Sequence, residues 1–400
     1  MYGLLKGMTV VEGAAFIAGP SCGLYLAQMG AEVIRFDQIG GGPDSARWPL
    51  GSKGQSLYWE GLNKGKKSIA LNLGTPEGRE LAQRIATGGD GLFVTNFPVE
   101  GFLSYDRLSA LRPDLICLRV MGWADGTPAV DYTINASVGV PWLTGHADDP
   151  RPVNHMLPAW DLVAGSYGAF SLLAAERDRQ ATSRGRELRL ALSDLAAATM
   201  GNLGNVAEVL LSGKDRERNG NNLFGAFGRD FQTLDGERVM IVAITPRQWT
   251  GLVTALGLAD AIGAIEAECH VDFARDEGAR FIHRARVDGL VAEALGRRTL
   301  AECKAVFEKA GCTWSVYHSL SRALEAEPRL FSDNPIFSSV AHAGGDTYPT
   351  PGAAVRLPSD ERGPAAAAPR IGAHTDEVLA GFLGLSSGEI GALHDEGVVA

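Results

Sequence analysis

The sequence predicts an α/β protein, with a large domain built on a doubly wound, mostly parallel sheet and a second, smaller α+β domain. Three observations carry that prediction. Short β-rich runs alternate with helix-patterned segments as far as Val120. A polar, Gly/Asn-rich break, Ser212-Gly-Lys-Asp-Arg-Glu-Arg-Asn-Gly-Asn-Asn222, interrupts the chain midway. A Pro-, Gly-, Ala- and Ser-rich stretch over 328–368 then precedes a last helix-patterned tail.

In chain order, Met8-Thr-Val-Val-Glu-Gly13 reads as a buried strand, Pro20 to Met29 as a helix after the Gly19-Pro20 break, and Ala31 to Asp37 as a second strand. This is a β-α-β unit. Strands over Ser68 to Leu73, Gly91 to Thr95 and Leu115 to Val120 alternate with helices over Thr75 to Ala86 and Tyr105 to Leu111, which makes the N-terminal half a Rossmann-like sheet. Helical spacing of apolar residues marks Leu162 to Ala175, and a long apolar helix is expected over Leu192 to Leu211. Beyond the break, Phe231 to Ala243 reads as a hairpin turning at Asp235-Gly236, and Trp249 to Leu256 and Ala301 to Ala310 as amphipathic helices. A helical tail covers Thr375 to His394. The expected organisation is a large domain over 1–212, a small domain over 223–325 and a last segment over 326–400.

Composition narrows the function classes. The 400 residues are 45% hydrophobic and 21% charged, values of a globular chain that folds. A net charge of −10 and the lack of any long basic run argue against nucleic acid as a partner. The start lacks a charged segment followed by an apolar one, and no apolar run approaches about 18 residues, so a cytoplasmic protein with no membrane partner is expected. Five scattered cysteines form no C-x-x-C pair, so neither a disulfide framework nor a metal site is expected. The loop Glu12-Gly-Ala-Ala-Phe-Ile-Ala-Gly-Pro20 lacks the G-x-G-x-x-G fingerprint, and G-x-S-x-G, P-loop and H-E-x-x-H motifs are absent.

The chemistry-bearing candidate is Asp161, at the end of Asn154-His-Met-Leu-Pro-Ala-Trp-Asp161 and at the mouth of the apolar helix that follows Pro158. It is read either as a cap for the free N–H groups of the first turn or as a covalent nucleophile kept ionised by the helix N-terminus, and the two roles are compatible. Gly40-Gly-Gly42 reads as a flexible turn or a close approach to phosphate. The lysines of Asn63-Lys-Gly-Lys-Lys-Ser68 are either a phosphate-facing cluster or a solvated one.

Together these segments resemble one family, the class III CoA-transferases, over nearly the whole chain. The resemblance is carried by Val10-Val-Glu-Gly13 with Ala18-Gly-Pro20, Leu26 to Arg35, Asn63 to Ala70, Thr95-Asn-Phe97, the Asp161 segment and Gly372-Ala-His-Thr-Asp-Glu-Val-Leu379. It implies an aspartate nucleophile at Asp161 and a CoA site lined by Ala18, Leu71, Asn72, Asn96 and Phe97. It also implies an interlocked homodimer whose large domain is completed by the C-terminal segment. No tightly bound cofactor is implied, coenzyme A being part of the substrate.

Through Asn154 to Asp161, Gly228 to Gly236 and His394 to Ala400, the likeness is nearest to members that move CoA from C1 to C4 of 2-methylfumaryl-CoA, by way of an aspartyl anhydride and an aspartyl-CoA thioester. Such a reaction calls for donors to the substrate carboxylates. His155 and Arg229 are the candidates, read otherwise as a satisfied histidine and a surface ion pair. Ile17, where oxalate-handling members carry glutamine, and the lack of their glycine-rich gating loop argue against oxalate or formate. Racemisation needs a histidine before an aspartate, and Val130-Asp131 stands there instead. Transfer to a separate free dicarboxylic acid, and a noncatalytic CoA-binding protein, are the alternatives.

Overall fold

A computed structural model describes all 400 residues and separates them into two compact units. The first comprises 1–139, 155–213 and 331–400; the second comprises 140–154 and 214–330.

The first unit is built on six parallel strands: β1 (Thr9–Gly13), β2 (Glu32–Gln38), β3 (Lys67–Leu71), β4 (Leu92–Thr95), β5 (Ile116–Met121) and β6 (Arg186–Ala191). They lie in the order β3-β2-β1-β4-β5-β6, as expected of a doubly wound sheet. In register, Val11 stands between Ile34 and Phe93. The alternation along β1 divides the core: Val10 joins Val33, Val94 and Leu118 on one face, and Val11 joins Ile34, Ile69 and Phe93 on the other. Strand β6, Arg-Glu-Leu-Arg-Leu-Ala, escapes a sequence reading because its charged residues belong to a sheet edge and break the apolar run.

Helices α1 (Ala18–Gln28), α2 (Leu57–Leu62), α3 (Pro76–Ala86) and α4 (Tyr105–Leu111) follow the strands, and α5 (Asp131–Ser137) comes after β5. The single turn α6 (Val140–Leu143) falls in the second unit. The longest helix, α7 (Ala159–Thr182), packs on α1 through small residues. A Cβ built on Gly165 would lie 2.5 Å from Ser21 Cβ, so only glycine permits this approach. The long helix expected over Leu192 to Leu211 is two helices, α8 (Leu192–Asn202) and α9 (Asn205–Ser212). The break is at Gly204, whose φ of +80° no continuing helix accepts.

The second unit pairs β7 (Phe227–Gln232), β8 (Arg238–Ala243) and β9 (Thr313–Val316) in an antiparallel sheet. Helices α10 (Pro246–Leu256), α11 (Ala259–Cys269), α12 (Glu277–Ile282), α13 (Arg284–Gly296), α14 (Leu300–Ala310) and α15 (Leu320–Ala326) complete it. Its core gathers Phe227, Ile241, Trp249, Phe273, Val287 and Phe307.

The chain then returns to the first unit. A hairpin, β10 (Phe337–Ala341) and β11 (Thr347–Pro351), lies within the Pro- and Gly-rich stretch. The tail is two helices, α16 (Thr375–Leu383) and α17 (Ser387–Asp395), divided at Gly384 (φ +69°) rather than one. Val398 and Val399 sit in the core face beside Leu71. No helix is long and apolar enough to cross a membrane.

In the three-lysine segment, two of the lysines are engaged in ion pairs. Lys66 is buried, with Nζ 2.8 Å from Glu12 Oε2 and 2.9 Å from the Pro20 carbonyl oxygen. Lys67 pairs with Glu32 and, at 2.8 Å, with Glu377. Lys64 is also buried, and loss of hydration lowers its pKa to about 8. Arg35 extends the buried network to Asp37 and Asp44.

Candidate active site

The crevice of a doubly wound sheet lies where strand order reverses, at the C-terminal ends of β1 and β4. The loops there are tied to each other. Asn96, one residue beyond β4, brackets the backbone of Ala15: its Nδ2 donates to the Ala15 carbonyl oxygen at 3.0 Å and its Oδ1 accepts from the Ala15 N–H at 3.2 Å. Ala18 opens α1 and is buried. The Phe97 ring packs against Phe36 and Phe102, and its carbonyl oxygen accepts from Arg119 Nη1 at 2.8 Å.

Of the residues expected in a CoA site, Ala18, Asn96 and Phe97 therefore meet at this reversal. Leu71 and Asn72 lie at the end of β3 and are engaged with the C-terminal tail. Leu71 is fully buried core, and Asn72 Nδ2 donates to the Gly397 carbonyl oxygen at 3.1 Å.

Asp161 occupies the third position of α7, one turn before the Gly165 contact with α1, which directs it toward the same end of the sheet. The residue preceding the helix is Pro158, whose side chain accepts no hydrogen bond. The cap comes from α5 instead: Asp131 Oδ2 accepts from the backbone N–H of Trp160 at 2.7 Å and of Asp161 at 3.0 Å. One turn further along α5, Asn135 Oδ1 accepts from Trp160 Nε1 at 3.1 Å.

Asp161 is thus itself capped, not capping. Burial first, and then the like charge of Asp131, raise its pKa to about 7, against the opposing pull of Arg47. A part-buried carboxyl whose pKa is raised by burial and a like charge and opposed by a cation marks a candidate functional site.

Arg47 is placed by aromatic stacking. Its guanidinium carbon lies 5.5 Å from the Phe16 ring centre and 5.3 Å from that of Tyr58. Phe16 adopts a left-handed backbone (φ +71°), and its N–H donates to Asp44 Oδ2 at 3.0 Å, so the buried ionic network shapes this loop. The Tyr58 hydroxyl is buried without a partner, and burial raises its pKa. His155 faces the Tyr132 ring at 6.4 Å, and both its ring nitrogens are buried and unpartnered; it is not a satisfied core histidine. These unpartnered buried polar atoms are candidate contacts for a ligand.

Arg229 lies in the second unit, on β7, with Nη1 2.8 Å from Asp288 Oδ2, an ion pair with a neighbour other than Asp230. Sequence reasoning missed Phe16, Arg47 and Tyr58. They sit on three loops or short elements with no shared period, and no sequence signal joins them.

The family model described as CoA-transferase family III matches residues 5–375. The chain is 48% identical to a protein of Chloroflexus aurantiacus named 2-methylfumaryl-CoA isomerase, over all of this chain and 98% of that one. It is 29% identical to succinyl-CoA–D-citramalate CoA-transferase of the same organism, over 99% and 98% of the two chains. Among solved structures, a CaiB/BaiF family protein from Brucella suis matches with a TM-score of 0.76 at 24% identity, covering 94% of this chain and 98% of that one.

Proposed function

The chain belongs to CoA-transferase family III and is an enzyme of the CoA-transferase type; from that premise we propose that it moves CoA within one molecule, from C1 of 2-methylfumaryl-CoA to C4. The reading is supported by the place of Asp161 in the first turn of α7, capped by Asp131 and within the electrostatic reach of Arg47. The full-length 48% identity to a protein named for this isomerisation supports the choice of substrate.

In the proposed sequence, an Asp161 carboxylate oxygen attacks the C1 thioester carbonyl. The C–S bond breaks, leaving an aspartyl mixed anhydride and CoA thiolate. The thiolate adds to the aspartyl carbonyl and expels the C1 carboxylate, which gives an aspartyl-CoA thioester and free mesaconate. Once the diacid turns, its C4 carboxylate attacks that thioester, and the released thiolate then attacks the C4 carbonyl and frees Asp161. Each step exchanges one activated acyl group for another, so the protein mainly has to position the partners and exclude water. Arg47 is assigned to the carboxylate that is not reacting, and the unpartnered Tyr58 hydroxyl and His155 ring to substrate oxygens. Asn96 and Phe97 are assigned to the CoA side of the crevice, with Ala18 beside them. Arg229 and the pair Leu71 and Asn72 take no part in this scheme.

An interlocked homodimer belongs to the proposal. It is supported by apolar side chains left exposed on α7 and α9: Phe170 at 65%, Leu210 at 78% and Leu211 at 89%. Light scattering giving a monomer mass would remove it.

A second reading, transfer to a separate acid, is favoured by the 29% relative, which is named as a two-substrate transferase. One experiment separates them: 2-methylfumaryl-CoA with isotopically labelled free mesaconate, followed by mass spectrometry of the CoA esters. An unlabelled C4 ester supports intramolecular transfer, label in the ester supports the second reading, and no conversion refutes both. Hydroxylamine added during turnover is expected to mark Asp161. Asp161→Asn is expected to lose at least about a thousandfold in kcat, and a noncatalytic CoA binder would show neither effect.

A further inference from the structure

We propose that Asp131 is a positioning residue for the chemistry of Asp161, one that fixes the first turn of α7 and also acts on the Asp161 carboxyl as a like charge. The proposal rests on the reading of Asp161 as the nucleophile.

The geometry separates two jobs. Fixing the turn requires one acceptor, and Oδ2 supplies it to the N–H groups of Trp160 and Asp161, thirty residues along the chain. An amide or hydroxyl oxygen would do as much. The second oxygen, Oδ1, is buried and has no partner, in a residue only 1% exposed. An ionised carboxylate with an idle oxygen, buried next to a second carboxylate, is a costly way to cap a helix. The cap uses one oxygen, and the N-termini of α5 and α7 favour the negative charge, which then also acts on Asp161.

That charge has a chemical consequence. In the free enzyme, Asp131 raises the basicity of the Asp161 carboxylate, and a more basic oxygen is the better nucleophile toward a thioester. Once Asp161 is acylated, as anhydride or thioester, it carries no charge and the repulsion vanishes. The like charge therefore favours the covalent intermediates over the free carboxylate. Two charged groups act on the Asp161 carboxyl, Asp131 from α5 and Arg47 from the loop before α2, while the Tyr58 hydroxyl of α2 in turn feels Asp161, Asp44 and Tyr132. Tyr132 and His155 are the other titratable side chains of this cluster. Arg47 opposes both burial and Asp131, so the carboxyl is set by the three together.

The test is titration of Asp161 by carbon NMR of aspartate labelled at the carboxyl carbon, assigned with Asp161→Asn, in the wild type and in Asp131→Asn. The amide oxygen of the variant keeps the two N–H acceptances while the charge is gone. The expected result is an Asp161 midpoint lower by about one pH unit, an acid limb of kcat/KM shifted the same way, and a Tm within a few degrees of wild type. A midpoint within about 0.2 pH unit of wild type overturns the proposal. Should Asp131→Asn fail to fold, Asp131→Thr presents an uncharged acceptor and is read identically. Hydroxylamine capture of Asp161 keeps the two claims apart. Capture with an unmoved midpoint removes only the role of Asp131; no capture in the wild type removes the nucleophile and this inference with it.

Discussion

At the scale of single residues, Asp161 combines two demands that conflict. Its pKa, raised to about 7 by burial and by Asp131, means that the folded state binds its proton more tightly than the unfolded chain. Such a group adds stability below the unfolded pKa near 4, and that stability is lost as pH rises through 7. Asp161→Asn is therefore expected to be more stable than wild type at pH 8, by up to about 4 kcal/mol, and to match it near pH 4; calorimetry across that range checks the sign. Arg47 works in the opposite direction. Arg47→Ala is expected to move the acid limb of kcat/KM upward and to lower kcat/KM at pH 7 by about 10- to 100-fold, the worth of one charge-assisted hydrogen bond. A limb moving downward would contradict the assignment. Asp161 was legible in the sequence because Pro158 and the apolar run after it announce a helix start. Arg47 was not, because its place depends on the Phe16 and Tyr58 rings, and those meet only in the fold.

At the scale of elements, the site depends on how closely α7 approaches α1 and on which residue caps it. Gly165→Ala would gain helix propensity worth up to about 1 kcal/mol, but its Cβ would meet Ser21 Cβ at 2.5 Å, and overpacking costs about 1–3 kcal/mol. The clash wins. A lower Tm and reduced kcat are expected, because the shift displaces Asp161 one turn away. Gly289 in α13 is the control: it is exposed, nothing lies within 4 Å of its Cβ position, and Gly289→Ala is expected to raise stability by about 0.5–1 kcal/mol. Denaturant melts of the two variants should move in opposite directions. Most strands were readable from apolar runs, whereas the breaks at Gly204 and Gly384 were not, since glycine within an apolar helical pattern does not declare its φ.

At the scale of the whole molecule, the Asn63 to Ser68 segment shows why local reading stops short. Lys66 satisfies Glu12 on β1 and the Pro20 carbonyl in α1, and Arg35 joins the same network to Asp44, which in turn holds the Phe16 loop. Lys66→Met would leave Glu12 buried beside Arg35 alone, at 3.5 Å. A loss of about 3 kcal/mol is expected, seen as a lower denaturation midpoint with an unchanged slope, along with weaker turnover as the Phe16 loop loosens. Hydrophobic period, breaker residues and ordered motifs lie in the chain itself, so the sequence alone determined the α/β class, the succession of strands and helices and the family, with Asp161 as the candidate nucleophile. Only the tertiary structure decided the capping of α7 by Asp131, the seating of Arg47 and the return of Val398 and Val399 to the core beside Leu71. Each of those joins residues far apart in the chain, and their energy comes from burial and charge in three dimensions, which no local pattern of residues records.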